Sequence, residues 1–93
     1  MSNLDEDVRR GHEANQVLQA TIYREAYTEI ERRLLNELTV IEIQPARAEY
    51  LRQLLVANRK IRGYLEQVMV TGQLAEQQQS LMERVKGKAK SPF

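Results

Sequence analysis

The chain has 93 residues, a formal net charge of +1, 42% hydrophobic residues and 29% charged residues. This length allows one small domain, and the composition is too apolar for a disordered chain. The lack of cysteine excludes a disulfide scaffold, a thiolate zinc site and a cysteine nucleophile. No apolar run approaches the roughly 18 residues of a membrane span, and the acidic N-terminal stretch differs from a secretory signal. We therefore expect the protein in the cytoplasm of the cell that makes it.

The first half of the chain predicts two helices and a turn. Apolar residues at spacings of three and four predict an amphipathic helix at 21–41. These residues are Ile22, Tyr23, Ala26, Tyr27, Ile30, Leu34, Leu38 and Ile41. Segment 4–18 keeps the spacing with poorer core residues and predicts a weaker first helix, bent from the second near Gln19 to Thr21. The residues at this spacing are Leu4, Val8, Gly11, Asn15 and Leu18. Pro45, after a cluster of β-branched residues, predicts a turn at about 42–46 and a new helix beyond it.

The segment after Pro45 carries an unbroken heptad pattern. Its core positions, which we name the predicted seam, are Leu51, Leu54, Asn58, Ile61, Leu65, Val68, Gly72, Ala75, Gln79 and Met82. The pattern predicts a helix at about 46–72 whose seam packs on the preceding helix. The residues expected opposite it are Tyr27, Ile30, Leu34 and Leu38. We expect Gly72 to end this helix and 76–93 to form a looser helical extension with a basic tail.

Asn58 occupies a heptad core position and has two interpretations. An asparagine inside a coiled coil lowers stability but selects the register and the number of helices. Alternatively, Asn58 faces a wet flank of an ordinary bundle. The pattern favours neither.

Residues 1–75 together predict an all-α fold, a long antiparallel helical hairpin with a short N-terminal helix and coiled-coil-like packing. Tyr50, Ala57 and Tyr64 form a second column beside the predicted seam. The apolar face is therefore wider than one partner helix covers, and such a hairpin is a poor monomer. We expect a homo-oligomeric bundle, with association to a larger protein as the alternative.

The near-zero net charge hides two halves of opposite sign. Residues 1–44 carry nine acidic and five basic side chains, whereas residues 45–93 carry four acidic and nine basic ones. Antiparallel helices of net charge −4 and +5 attract each other, which favours the hairpin. The basic residues are also candidate phosphate contacts: Arg52, Arg59, Arg62, Lys86, Lys88 and Lys90. Without interleaved aromatic residues or a DNA-binding motif, only nonspecific nucleic-acid contact is expected.

The residues that can carry chemistry form no catalytic constellation. His12 is the only histidine, and no set of ligands accompanies it. Glu25 and Glu29 have the spacing of a solvated helix face, and the Glu-x-x-His pairs of a di-metal bundle are lacking. The four tyrosines lie on apolar faces, where they anchor cores or interfaces. We expect no enzymatic activity, metal, cofactor or small-molecule substrate.

Several short segments resemble a known group of proteins. They are Val17-Leu18, Ile22-Tyr23, Glu25-Ala26-Tyr27, Arg47 leading into Leu51, 61–65 (Ile-Arg-Gly-Tyr-Leu) and 71–75 (Thr-Gly-Gln-Leu-Ala). The pattern over 18–75 is similar to that of short uncharacterised helical-hairpin proteins encoded among the head and packaging genes of tailed bacteriophages. Ala20-Thr21 stand where that group often has an Asp-Pro helix start. The resemblance implies a role in virion assembly or as a minor virion component; a packaging factor that contacts nucleic acid and a small inhibitor that docks on a host protein are the alternatives.

Overall fold

Three helices make up the part of the chain that this computed structural model describes, residues 3–90, with side chains described for 3–87. Helix α1 spans Asn3–Gln19, α2 spans Thr21–Leu38 and α3 spans Pro45–Lys90. No strand occurs among residues 3–90. The predicted all-α class is confirmed, whereas oligomerisation and coiled-coil packing stay predictions.

The first two helices lie end to end along the third, which runs antiparallel to both. The residue numbers of each contacting pair add up to nearly the same value from the turn to the far end, as antiparallel pairing requires. These pairs are Glu37 with Arg47, Tyr27 with Asn58, Gly11 with Gly72, and Asp5 with Gln79. With 46 residues, α3 is about 69 Å long. The radius of gyration is 20.8 Å, against about 12 Å for a compact domain of this length.

The helix boundaries follow local sequence. Ala20 has an extended backbone (φ −65°, ψ 126°) and separates α1 from α2. Helix α2 ends at Leu38, three residues before the end predicted at 41, because the β-branched residues that follow are weak helix formers. The Thr39 N–H donates to the Leu35 carbonyl, and its hydroxyl donates to the Asn36 carbonyl. Pro45 begins α3, a position where its missing N–H has no cost.

Gly72 does not end α3, in contrast to the sequence prediction. The helix continues through Gly72 to Lys90, so the predicted extension belongs to the same helix as far as Lys90. The reason is that α1 packs on this part of α3 through Gly11. A glycine that a crossing helix requires carries the same sequence signal as a glycine that ends a helix. Residues 91–93 of the predicted tail lie outside the described part of the chain.

Two small clusters of buried residues hold the hairpin together. Leu34, Leu51 and Leu55 form the first, with the partly buried Leu38 and Ile43 packed against them. The second is the set of buried residues on α1 and on the part of α3 where Gly72 meets Gly11, and all of them except Leu18 are small. Its buried members are Gly11, Ala14, Leu18, Gly72 and Ala75. Few large side chains are therefore buried, and the hydrophobic stabilisation of the single chain is small.

Candidate interaction surface

The face of α3 that packs on α2 differs by one column from the predicted seam. Leu51 and Leu55 are buried at 1% and 7% exposure. Two predicted seam residues are instead exposed: Leu54 at 39% and Ile61 at 60%. The positions that face α2 are instead occupied by Leu55 and by the half-buried Arg62, each one residue further along the helix. The expected packing of Leu54 and Ile61 inside the hairpin is thus corrected. Their role in an oligomer interface stays a prediction.

Tyr27, Ile30, Leu34 and Leu38 were the residues expected opposite that seam. Leu34 is buried and Tyr27 and Leu38 are half-buried, but Ile30 is 47% exposed. Ile30 is displaced because α2 presents Tyr27, Glu31 and Leu34 to α3, and a residue one position away lies about 100° round the helix.

Asn58 contacts α2 from its position on α3. It is half-buried, and its Nδ2 donates to the backbone carbonyl of Tyr27 at 3.4 Å. The Arg62 guanidinium lies 4.8 Å from the centroid of the Tyr27 ring. These two polar contacts join α2 to α3, and the selection of register and helix number by Asn58 stays a prediction.

The packed face rotates where α3 passes from α2 to α1. Leu65 and Val68 are half-buried, and beyond them Gly72 and Ala75 are buried. Over this stretch the observed positions agree with the predicted seam. The break at Ala20 allows α1 to approach α3 from a slightly different direction than α2.

The crossing of α1 and α3 depends on two glycines. A Cβ atom on Gly72 would lie 2.7 Å from the Gly11 Cα and 2.8 Å from the Asp7 carbonyl oxygen. Sequence reasoning missed this contact and treated Gly11 as a poor core residue. The signal was present: Gly11 and Ala14 have the same three-residue spacing as Gly72 and Ala75, and small residues let helices approach closely.

An apolar column on α3 is left largely uncovered in the described chain. We call it the exposed column: Tyr50, Leu54, Ala57, Ile61 and Tyr64. Its large members are between 39% and 60% exposed. Steps of four, three, four and three residues keep the column on one side of the helix over about 21 Å. The column is therefore a continuous apolar strip.

Helix α2 adds apolar residues on the same side of the hairpin. Glu31 and Arg59 form an ion pair across one side, with 2.7 Å between Oε1 and Nε. Ile30 directly precedes Glu31 on α2, and Ala57 directly precedes Asn58 on α3. Each therefore lies about 100° round its helix from that neighbour, on the side of the hairpin away from the ion pair. In two antiparallel helices that face each other, residues rotated by the same angle and in the same sense from the contact line lie on the same side of the pair. Ile30 thus lies beside the exposed column.

The candidate phosphate contacts on α3 already have carboxylate partners. Arg52 pairs with Glu49 at 3.2 Å, Arg59 pairs with Glu31, and Arg62 pairs with Glu66 at 3.1 Å. These carboxylates would compete with a phosphate for the same guanidinium groups. The ion pairs of Arg59 with Glu31 and of Arg47 with Glu37 also join the oppositely charged halves, as the charge division favours.

The three candidate lysines lie at the end of α3. Lys86 is exposed, and the side chains of Lys88 and Lys90 lie outside the described part.

The titratable groups form no metal or catalytic cluster in the described chain. Residues 3–87 contain no group of three histidine, aspartate or glutamate side chains that could hold a metal ion. Hydrogen bonds from Arg32 and Arg33 lower the pKa of Glu29 to about 2, so this carboxyl stays ionised. His12 Nε2 lies 4.0 Å from the Glu76 carboxylate, with both side chains exposed.

None of the three described helices is both long enough and apolar enough to cross a membrane.

Comparison with known proteins gives no relative on which to base an assignment. No protein-family model, curated protein or solved structure matches the chain. The exposed column of α3 therefore remains the main indication of function.

Proposed function

We propose that the chain is a non-enzymatic helical-hairpin protein that acts by self-association through the exposed column. The observation that carries this proposal is the uncovered apolar strip of α3, where Ile61 and Tyr64 are 60% and 58% exposed. Apolar strips of this length are uncommon on proteins that act alone and mark interaction surfaces.

The exposed area of the single chain supports the proposal. The chain exposes 7573 Å², whereas a compact monomer of 10.8 kDa exposes about 5,500 Å². The excess of about 2,000 Å² is larger than the roughly 800 Å² that each partner buries in a standard interface. The single chain therefore leaves enough surface exposed for an interface of standard size.

The overall charge does not oppose association with a second copy. The exposed column contains no charged residue, and the chain's net charge of +1 gives little repulsion between copies. A docked copy would also cover a hairpin whose own core is small, which stabilises it by mass action.

For the biological setting we propose bacteriophage virion assembly, as a scaffold or minor component. This part of the proposal rests on the resemblance over 18–75 and on no contact in the structure. The neighbouring genes test it: head and packaging genes on either side support the setting, and a position among metabolic genes contradicts it.

Sedimentation equilibrium at micromolar concentration tests self-association. The unchanged chain should sediment at twice the monomer mass or more. Ile61→Asp should give monomers, because a carboxylate in a closed apolar interface loses its hydration. Leu74→Asp is the matched control, since Leu74 is also 60% exposed on α3 but belongs to no column described here. A folded monomer of the unchanged chain, or an Ile61→Asp chain that keeps its assembled mass, would contradict the proposal.

A further inference from the structure

The exposed column has nearly the same order of residue types in both chain directions. Counted from Ala57, Leu54 lies three residues before and Ile61 four residues after. Tyr50 lies seven residues before and Tyr64 seven residues after. A small residue is thus flanked by two branched aliphatic residues and then by two tyrosines.

We infer that two copies associate through antiparallel α3 helices about a two-fold axis at Ala57. This inference rests on the self-association proposed above and specifies its geometry. A two-fold interface is self-complementary, so each residue that contacts a second one is contacted by it in return. Tyr50 of one copy lies beside Tyr64 of the second, and Leu54 lies beside Ile61. At the axis, Ala57 meets its own counterpart, and small residues there allow a short distance between the helices.

Contacts within the hairpin hold both tyrosines before association. The Arg47 guanidinium lies 5.5 Å from the centroid of the Tyr50 ring. At the other end, Arg10 Nη2 donates to Tyr64 Oη at 3.0 Å. Side chains that are already ordered lose less conformational entropy on association. Tyrosines are also enriched in interfaces because the ring can be buried while the hydroxyl reaches the wet rim.

The other residues near the column agree with this arrangement. Ile30 of α2 lies on the same side of the hairpin, so a second α3 would rest in the groove between α2 and α3. The two hairpins would then form a four-helix bundle, the usual way for amphipathic helices with wide apolar faces to bury both flanks.

Cysteine cross-linking tests the axis, because the natural chain contains no cysteine. Ala57→Cys should form a disulfide-linked dimer on mild oxidation, read on a non-reducing gel. Gly63→Cys is the control, since a Cβ atom there meets nothing within 4 Å and position 63 lies about 100° round the helix from Tyr64. We expect cross-linking of Ala57→Cys to be about tenfold faster or more, because association gives an effective concentration near millimolar.

A mixture of two variants separates antiparallel from parallel helices. Tyr50→Cys mixed with Tyr64→Cys should give the linked dimer, whereas either variant alone should give little. Efficient linking of Tyr50→Cys to itself would show a parallel pair and overturn the inference. If the unchanged chain sediments as a dimer but Ala57→Cys links no faster than Gly63→Cys, the axis is wrong while self-association stands. A monomeric unchanged chain would overturn both.

Discussion

The backbones of Gly11 in α1 and Gly72 in α3 approach so closely that a Cβ atom on Gly11 would lie 2.7 Å from the Gly72 Cα. Real Cβ atoms do not approach other atoms this closely, so a side chain at either position would force the helices apart. The shift would also disturb the packing of Ala14 and of Ala75, each of which is nearly fully buried about one helical turn from its glycine. This pair of glycines therefore sets the distance between α1 and α3.

Replacement of either glycine tests this contact. Gly11→Ala and Gly72→Ala should each lower the free energy of unfolding by about 1–3 kcal/mol, the usual cost of overpacking, even though alanine is the better helix former. The double variant should cost less than the sum of the two, because both changes break the same contact. Urea or thermal unfolding followed by circular dichroism measures these differences.

Gly63→Ala is the control in the same helix. A Cβ atom there meets nothing within 4 Å, so only helix propensity changes. We expect a gain of about 1 kcal/mol. If Gly72→Ala were as favourable as Gly63→Ala, the close crossing would not exist.

The sequence predicts the helices and the turn because their signals are local. The spacing of Tyr27 and Leu34 indicates a helix, and Pro45 fits only near the start of one. The packed face is harder to predict, because α3 is apolar over several adjacent columns. Leu54 and Leu55 are both leucines, and periodicity alone does not decide which one faces α2. That choice depends on the rotation of α3 against its partner, which is a property of the tertiary structure.

The α1 crossing escaped sequence reasoning for a different reason. Gly11 and Gly72 lie 61 positions apart, and each taken alone indicates weakness in a helix. Only the tertiary structure shows that the two glycines meet where α1 and α3 approach each other closely. Only part of the exposed column was predicted: Tyr50, Ala57 and Tyr64 share one heptad position, whereas Leu54 and Ile61 were assigned to the predicted seam.

The hydroxyl of Tyr23 gives a second prediction. Tyr23 Oη is buried and has no hydrogen-bond partner among the described residues. A buried polar atom without a partner costs about 1–3 kcal/mol in lost hydration. Tyr23→Phe removes the hydroxyl and keeps the ring, which stacks near Tyr27 with 6.5 Å between ring centroids.

We therefore expect Tyr23→Phe to unfold at the same temperature as the unchanged chain or at a higher one. Tyr23→Ala is the control and should lower the unfolding temperature, since it removes the ring as well. A clear loss of stability in Tyr23→Phe would mean that the hydroxyl has a partner.

The pH dependence of stability should include a small contribution from Glu29. Arg32 and Arg33 donate hydrogen bonds to its carboxylate and lower the pKa to about 2 from 4.5. Because the folded-state pKa is the lower one, the contribution is present above pH 4.5 and is lost as the pH falls through about 2. Solvent screening keeps the effect small at this exposed site.

Glu29→Gln should accordingly lower the unfolding temperature slightly at neutral pH and leave it unchanged near pH 2. Titration of the Glu29 carboxyl by nuclear magnetic resonance gives the pKa directly. A value near 4.5 in the folded chain would contradict the prediction.

Two adjacent leucines provide the sharpest separation of folding from association. Leu55 is 7% exposed and belongs to the core of the hairpin, whereas Leu54 is 39% exposed and belongs to the exposed column. Leu55→Ala should cost about 2–5 kcal/mol of unfolding free energy, because it leaves a cavity beside Leu34 and Leu51. This loss should appear at every protein concentration at which unfolding is measured.

Leu54→Ala should act differently, because a substantial part of its side chain is exposed in the single hairpin and is covered only when a second copy docks. At the lowest protein concentrations the variant should lose less stability than Leu55→Ala. As the concentration rises, the unchanged chain should gain stability through association and Leu54→Ala should gain less. Thermal unfolding over a series of concentrations measures both variants in one experiment. Equal losses for Leu54→Ala and Leu55→Ala at low concentration would place Leu54 in the core of the hairpin and contradict the division between the two faces of α3.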